Sequence, residues 1–202
     1  MLGGPDPTAS PGVYAAHPAV DLVVHHEGEQ TFTRLLDLAD DGPLTIARFH
    51  GEPGIAFADG GTVIINPNRP PIADLDALPR PARDLIDMET YLEHWRLTKG
   101  YTSMPISSTR GCVSNCQWCA EGVHGHGLRQ RSPESLAAEV AELADAFDID
   151  RLRLIDDVDA LDRSWLESWA DELRAIGAAV PYEALSELTR TDLPLLDVAD
   201  SL

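Results

Sequence analysis

Apolar positions along this chain change period several times, and each change predicts a new element. Val20-Asp21-Leu22-Val23-Val24 is a short β-branched run and predicts a buried strand. Before it, Gly3-Gly4-Pro5-Asp6-Pro7-Thr8 is a turn-rich opening and Pro11–His17 a short helical stretch. After a Glu27-Gly28-Glu29 turn, Phe32, Leu35, Leu36 and Ala39 recur at helical spacing. They predict a helix over Thr31–Ala39 with that face inward, ending near Gly42-Pro43. Ile46–Phe49 and Thr62–Ile65 are strand-like and flank glycine-rich turns, so they predict a β-hairpin. Asn66–Pro81 carries five prolines and should be extended and irregular. A short helix is expected around Ala82–Trp95.

From there strand and helix alternate. Met104–Thr109 predicts a strand running straight into Arg110-Gly111-Cys112. Ser132-Pro133-Glu134 is a helix start: a hydroxyl cap, proline at the first helical position and an acid in the first turn. Leu136, Val140, Leu143 and Phe147 make its apolar face. Arg151–Ile155 is a strand in which Leu152 and Leu154 alternate inward. Asp162 should cap a second helix, with Trp165, Leu166, Trp169, Leu173 and Ile176 inward and Gly177 at its end. Val180–Leu185 predicts a third strand and Asp192–Leu202 a third helix. Repeated β–α units of this length imply a parallel sheet or a barrel. The pattern divides the chain at 1–43, the end of an α/β unit; 44–98, a proline-rich linker with hairpin and short helix; and 99–202, the β/α repeats.

Composition narrows the function classes. In 202 residues, 44% are hydrophobic, enough for a core, and the net charge is −19. A surface so acidic repels phosphate backbones and anionic membranes, so neither nucleic acid nor a membrane is an expected partner. No apolar run reaches the roughly 20 residues that span a bilayer. The first residues lack the basic-then-apolar order of a signal peptide. A cytoplasmic protein is expected, and there clustered cysteines are metal ligands or redox groups more often than disulfides.

All three cysteines fall within eight residues, as Cys112-x-x-x-Cys116-x-x-Cys119. Ordinary iron–sulfur clusters use four cysteines. Three would leave one iron without a protein ligand, and an open position is what a catalytic metal needs. Other readings of the same residues stand beside this one. Cys116-x-x-Cys119 alone is the spacing of a redox dithiol, although that leaves Cys112 unexplained. His124 or His126 could complete a Cys3His zinc site. The cysteines could also persist in a non-catalytic chain. His25 and His26 read as a surface loop.

The segment Thr109-Arg110-Gly111-Cys112-Val113-Ser114-Asn115-Cys116-Gln117-Trp118-Cys119 resembles the radical S-adenosylmethionine signature, with Trp118 as its aromatic residue. Gly3-Gly4-Pro5-x-Pro7-Thr8, Glu27-Gly28-Glu29-x-Thr31-Phe32, Pro70-Pro71-Ile72-x-Asp74-Leu75-Asp76-x-Leu78-Pro79, Arg131-Ser132-Pro133-Glu134 and Asp156-Asp157 occur around it in order. Together they resemble the subgroup with a cobalamin-binding domain. The resemblance implies an α/β fold: a partial (β/α) radical S-adenosylmethionine barrel, about three of six units, after the C-terminal remnant of a Rossmann-like cobalamin-binding domain.

The resemblance also implies roles. Cys112, Cys116 and Cys119 would hold a [4Fe-4S] cluster for reductive cleavage of S-adenosylmethionine to a 5′-deoxyadenosyl radical. The cofactor would supply the hard chemistry and the protein the geometry. Trp118, Asp156, Glu183 and Ser186 would bind S-adenosylmethionine, with Asp157 and Arg190 further candidates; Gly3 and Gly4 would meet cobalamin. Partners would be a small-molecule substrate, an electron donor such as flavodoxin or ferredoxin, and a complementing chain. A cobalamin-dependent methyltransferase, or a related enzyme of secondary metabolism, is the expected type. The chain departs from the pattern in two places. Of the cobalamin motifs DxHxxG, SxL and GG only Gly3-Gly4 is matched, and Asp6 stands where the family has His. Only about three β–α units are encoded, so the chain is expected to be the middle of a longer protein. Replacing any one of Cys112, Cys116 or Cys119 by Ala should abolish iron retention after anaerobic reconstitution, measured as iron per chain; unchanged iron would refute the cluster assignment.

Overall fold

The computed structural model describes residues 1–114, 116, 123–125, 127–157 and 163–184. Contacts divide the chain into two units, one of residues Met1–Ala73 with the described part of Ser114–His126, the other of Asp74–Val113 with the described part of Gly127–Leu202.

The first unit begins with two single-turn helices, α1 (Pro5–Ala9) and α2 (Pro11–Ala15), each opened by a proline at its first turn. The turn-rich opening is thus helical from Pro5. Strand β1 is Val23–Val24, and Leu2 pairs with Val23 in parallel. Helix α3 (Glu29–Asp40) follows, with Glu29 in its first turn. It buries Thr31, Leu35 and Leu38, a single stripe at i, i+4 and i+7, while Phe32 and Leu36 are about half exposed and Ala39 lies outside. The inward face is therefore rotated from the Phe32–Leu36 stripe expected from hydrophobicity. Thr31 takes its place because its hydroxyl accepts a hydrogen bond from Arg69 Nε at 3.1 Å.

Ile46–Phe49 is a helical turn, α4, and not the strand expected from its apolar residues. The turn swings Arg48 back onto the end of α3, where its Nη1 donates to the carbonyls of Leu38 (2.6 Å) and Gly42 (3.0 Å). It also buries Phe49. The hairpin instead pairs β2 (Ile55–Asp59) with β3 (Thr62–Ile65), in register from Ala56–Ile65 to Asp59–Thr62. Its two-residue loop, Gly60-Gly61, has φ of +55° and +85°, the turn whose twist matches paired strands. The sheet order is β1-β2-β3, antiparallel, over a core of Leu22, Val24, Leu35, Leu38, Phe49, Ile55 and Phe57.

In the second unit, residues 74–82 are irregular, as the prolines require, and Arg83–Leu85 forms one 3₁₀ turn. Helix α5 (Met88–Lys99) starts at Asp87, which accepts from Thr90 N, and stops at Gly100 in the left-handed region. Strand β4 (Ser103–Ile106) leads to a short β5 (Thr109–Arg110), paired antiparallel with β6 (Arg129–Gln130). Helix α6 (Pro133–Ala146) begins as expected, with Ser132 Oγ accepting from Ser135 N at 3.1 Å. Strand β7 (Arg151–Leu154), helix α7 (Arg163–Ile176) and strand β8 (Tyr182–Glu183) complete the described part. Helix α7 ends in a Schellman turn: Gly177 at φ +66°, Ala178 N bonded to Leu173 O, and Gly177 N to Arg174 O. Ile176 is half exposed there, against expectation. The cap Asp162 and the helix Asp192–Leu202 lie outside the described residues.

β4, β7 and β8 are parallel neighbours in that order. Met104, Ile106, Leu152 and Leu154 point from them into α6 and α7, meeting Leu136, Val140, Leu143, Leu166, Trp169 and Leu173. Helices thus cover one sheet face, and the strands end together at their C-terminal edge. The rotated face of α3 is testable. Leu35→Ala should cost about 2–5 kcal/mol in urea unfolding and Leu36→Ala less than about 0.5; equal losses would contradict it.

Candidate functional site

Strand β4 ends at Ile106, and its neighbour β7 continues for one more bond, Ile155 N to Ile106 O. Ser107 and Ser108 then leave the sheet, so their amides and those that follow need new acceptors. Asp156, 8% exposed at the end of β7, provides them. Its Oδ1 accepts from Ser107 Oγ, Ser108 N and Thr109 N, each at 2.9 Å, and its Oδ2 accepts from Ser108 Oγ. The carbonyls of the same segment face Arg131, whose backbone N–H donates to Ser108 O (2.9 Å) and Nη1 to Ser107 O (3.2 Å). Thr109 and Arg110 pair with β6, Gly111 turns the chain at φ +83°, and Cys112 follows, its carbonyl accepting from Gly127 N at 3.4 Å.

Arg131 is itself held by Glu139 of α6, a carboxylate only 3% exposed. Glu139 Oε2 accepts from Arg131 Nη1 at 2.5 Å and its Oε1 from Arg83 Nη1 at 2.8 Å. Arg83 also donates to Pro105 O of β4 at 2.9 Å, and Trp165 Nε1 to Arg131 O at 2.9 Å. Burial alone would push the Glu139 carboxyl up. The hydrogen bonds from Arg83 and then Arg131, with their charge, outweigh burial and hold it below the ordinary glutamate range.

Cys112 is half-buried and Cys116 exposed. Soft sulfur donors of this kind fit an iron–sulfur cluster. Cys119 and Trp118 lie outside the described residues, as do Ser186 and Arg190. Among the described residues no three His, Cys, Asp or Glu side chains converge on a point that could hold a metal ion. His124, a candidate zinc ligand, has its Nδ1 3.4 Å from Glu27 Oε1, and the other oxygen of Glu27 accepts from Ile72 N at 2.7 Å. His25 is not on the surface: it is 2% exposed, and burial, then His26, lowers its pKa. His26 adopts φ +60°, and its Nδ1 lies 3.3 Å from Val123 O.

Glu183 of β8 lies 3.7 Å from Arg153 of β7. Both line a cavity of about 330 Å³ with Trp95, Tyr101 and Lys99. Asp157 is exposed. Gly3 sits where a Cβ would meet Val24 O at 3.4 Å, and Gly4 has φ +105°, a conformation that calls for glycine.

The fold recurs in known proteins. In solved structures of the radical S-adenosylmethionine methyltransferase TsrM from Kitasatospora setae, one with cobalamin and [4Fe-4S] cluster bound and one with tryptophan and a S-adenosylmethionine analogue, the same architecture extends over 99% of this chain and 39% of that one. The TM-scores are 0.74 and 0.71 and the identities 15% and 17%. The chain has, in part, the fold of the cobalamin-binding radical S-adenosylmethionine proteins. Its sequence agrees. It is 30% identical over 190 residues to an uncharacterized methyltransferase of Pyrococcus horikoshii, 93% of this chain and 39% of that protein. It is 29% identical over 175 residues to an anaerobic magnesium-protoporphyrin IX monomethyl ester cyclase of Rubrivivax gelatinosus, 86% of this chain and 31% of that one. It is 27% identical over 224 residues to a cytidylyl-2-hydroxyethylphosphonate methyltransferase of Streptomyces wedmorensis, 98% and 41%. No family model matches the chain. The chain therefore spans about two fifths or less of each of these relatives. β4, β7 and β8 are three parallel strands of this fold, and the cysteine segment follows the first of them in sequence.

Glu139 predicts an acid sensitivity. Its folded pKa is depressed, so the stability it contributes is present above the ordinary glutamate value and is lost as pH falls through the lower, folded one. Glu139→Ala should lower neutral-pH stability by about 3–5 kcal/mol, because it leaves Arg83 and Arg131 uncompensated. It should also flatten the decline of urea stability below about pH 4.5; a decline as steep as in the unsubstituted chain would contradict the assignment.

Proposed function

We propose that this chain is the cluster-bearing part of a cobalamin-type radical S-adenosylmethionine enzyme, with Cys112, Cys116 and Cys119 as cluster ligands. The observation that supports the proposal is the three-cysteine signature, which begins six residues after β4, the first of three parallel strands in a fold shared with TsrM. Cys112, Cys116 and Cys119 would hold the [4Fe-4S] cluster, which would supply one-electron reducing chemistry toward S-adenosylmethionine. The protein's own part is placement. Ser107–Thr109 are held beside the end of β7, Gly111 turns the chain, and the half-buried Cys112 follows. Glu183 and Arg153, beside Trp95 and Tyr101, are groups suited to the amino acid and adenine parts of S-adenosylmethionine.

Methyl transfer to a small molecule is the reaction type we favour, because two of the three relatives and TsrM carry methyltransferase names. Gly3 and Gly4 would then lie at the cobalamin, with the remaining contacts supplied by sequence or a chain beyond this one. A flavodoxin or ferredoxin would supply the electron, and a cytoplasmic setting fits these donors; among the described residues no helix is long and apolar enough to cross a membrane. The test is anaerobic reconstitution with iron and sulfide, then dithionite and S-adenosylmethionine. A brown protein that holds about four irons per chain and releases 5′-deoxyadenosine supports the proposal. A chain that takes stoichiometric zinc and no cluster overturns it.

A further inference from the structure

The sequence offers Asp156 as a ligand-binding acid, yet in the fold its carboxylate is engaged by its own chain. Both oxygens are taken up by Ser107, Ser108 and Thr109, four hydrogen bonds from three consecutive residues, and the group is nine-tenths buried. Amide and hydroxyl donors on a carboxylate are charge-assisted and stronger than neutral pairs. They act where the sheet can no longer hold β4, since β7 makes its last bond to Ile106. From the other side Arg131 takes the carbonyls of Ser107 and Ser108. The segment is thus gripped on both edges, three residues before Cys112, and only Arg110 and a turning glycine intervene.

We infer that Asp156 is a positioning residue: by fixing Ser107–Thr109 at the end of β4, it sets where the Cys112 thiolate is presented to the cluster, and it does not contact S-adenosylmethionine. This rests on the cluster reading above, so the test has one arm independent of iron.

In the apo chain, Asp156→Asn replaces one acceptor oxygen by an amide donor that faces donors. Labelling of Cys112 by a maleimide, read by peptide mass spectrometry, should then accelerate about tenfold or more, while Cys116 labels at its original rate. In the reconstituted chain, the same variant should lose iron to a chelator about tenfold faster and show an altered electron paramagnetic resonance spectrum after reduction. Leu152→Ala weakens the same sheet through packing alone and should leave that spectrum unchanged in the folded fraction. If Asp156→Asn does not fold, the Ser107→Ala/Ser108→Ala double variant removes two of the four bonds and keeps the carboxylate; it should raise Cys112 labelling in the same direction. Unchanged Cys112 labelling in both variants overturns the inference, whatever iron does. A wild-type chain that takes up no iron overturns the cluster reading instead, and the labelling arm still decides whether Asp156 positions Cys112.

Discussion

Parallel pairing of β4 with β7 is the constraint on which the second unit depends. Two parallel strands cannot be joined by a tight turn, so the chain must travel back along the sheet before β7 can begin. Helix α6 makes that return, and its apolar stripe buries Met104, Ile106, Leu152 and Leu154 on one face. The same geometry brings the C-terminal ends of β4 and β7 side by side. Ser107–Thr109 and Asp156 are 47 to 49 residues apart in sequence, yet they share hydrogen bonds because each is the first stretch beyond its strand.

Two buried carboxylates then organise that edge. Asp156 takes the amides and hydroxyls of the departing segment, and Glu139, through Arg131, takes its carbonyls. Each is acceptable in the interior because its oxygens are satisfied: those of Asp156 by four hydrogen bonds, those of Glu139 by two guanidinium groups. Arg83 extends the network into the proline-rich stretch, which has no ladder of its own and is fixed by side chains. Asp76 does the same, accepting from Ser132 N at the start of α6.

Local signals were legible where a residue type acts on its own neighbours. Ser132-Pro133, Asp87 and Gly177 start or stop helices where their chemistry says they should. The alternation of Leu152 and Leu154 marked β7. Expectation failed where a distant partner outweighed a local preference. Ile46–Phe49 has strand-like residues, but the carbonyls at the end of α3 draw Arg48 into a helical turn. Phe32 and Leu36 are more apolar than Thr31, but Arg69 holds Thr31 inward. His25 reads as a polar surface residue, yet it continues β1 into the core.

The sequence by itself determined the cysteine spacing and the class of fold. Cys112-x-x-x-Cys116-x-x-Cys119 is written in the chain, and the β–α alternation requires parallel strands. Neither depends on which distant residues meet. What Asp156 does was decided only by tertiary structure. In sequence it is an acid at a strand end, equally suited to a ligand or to solvent. Folding sets it against four donors whose own sheet has run out, and a buried carboxylate in that position satisfies them before it can satisfy anything else.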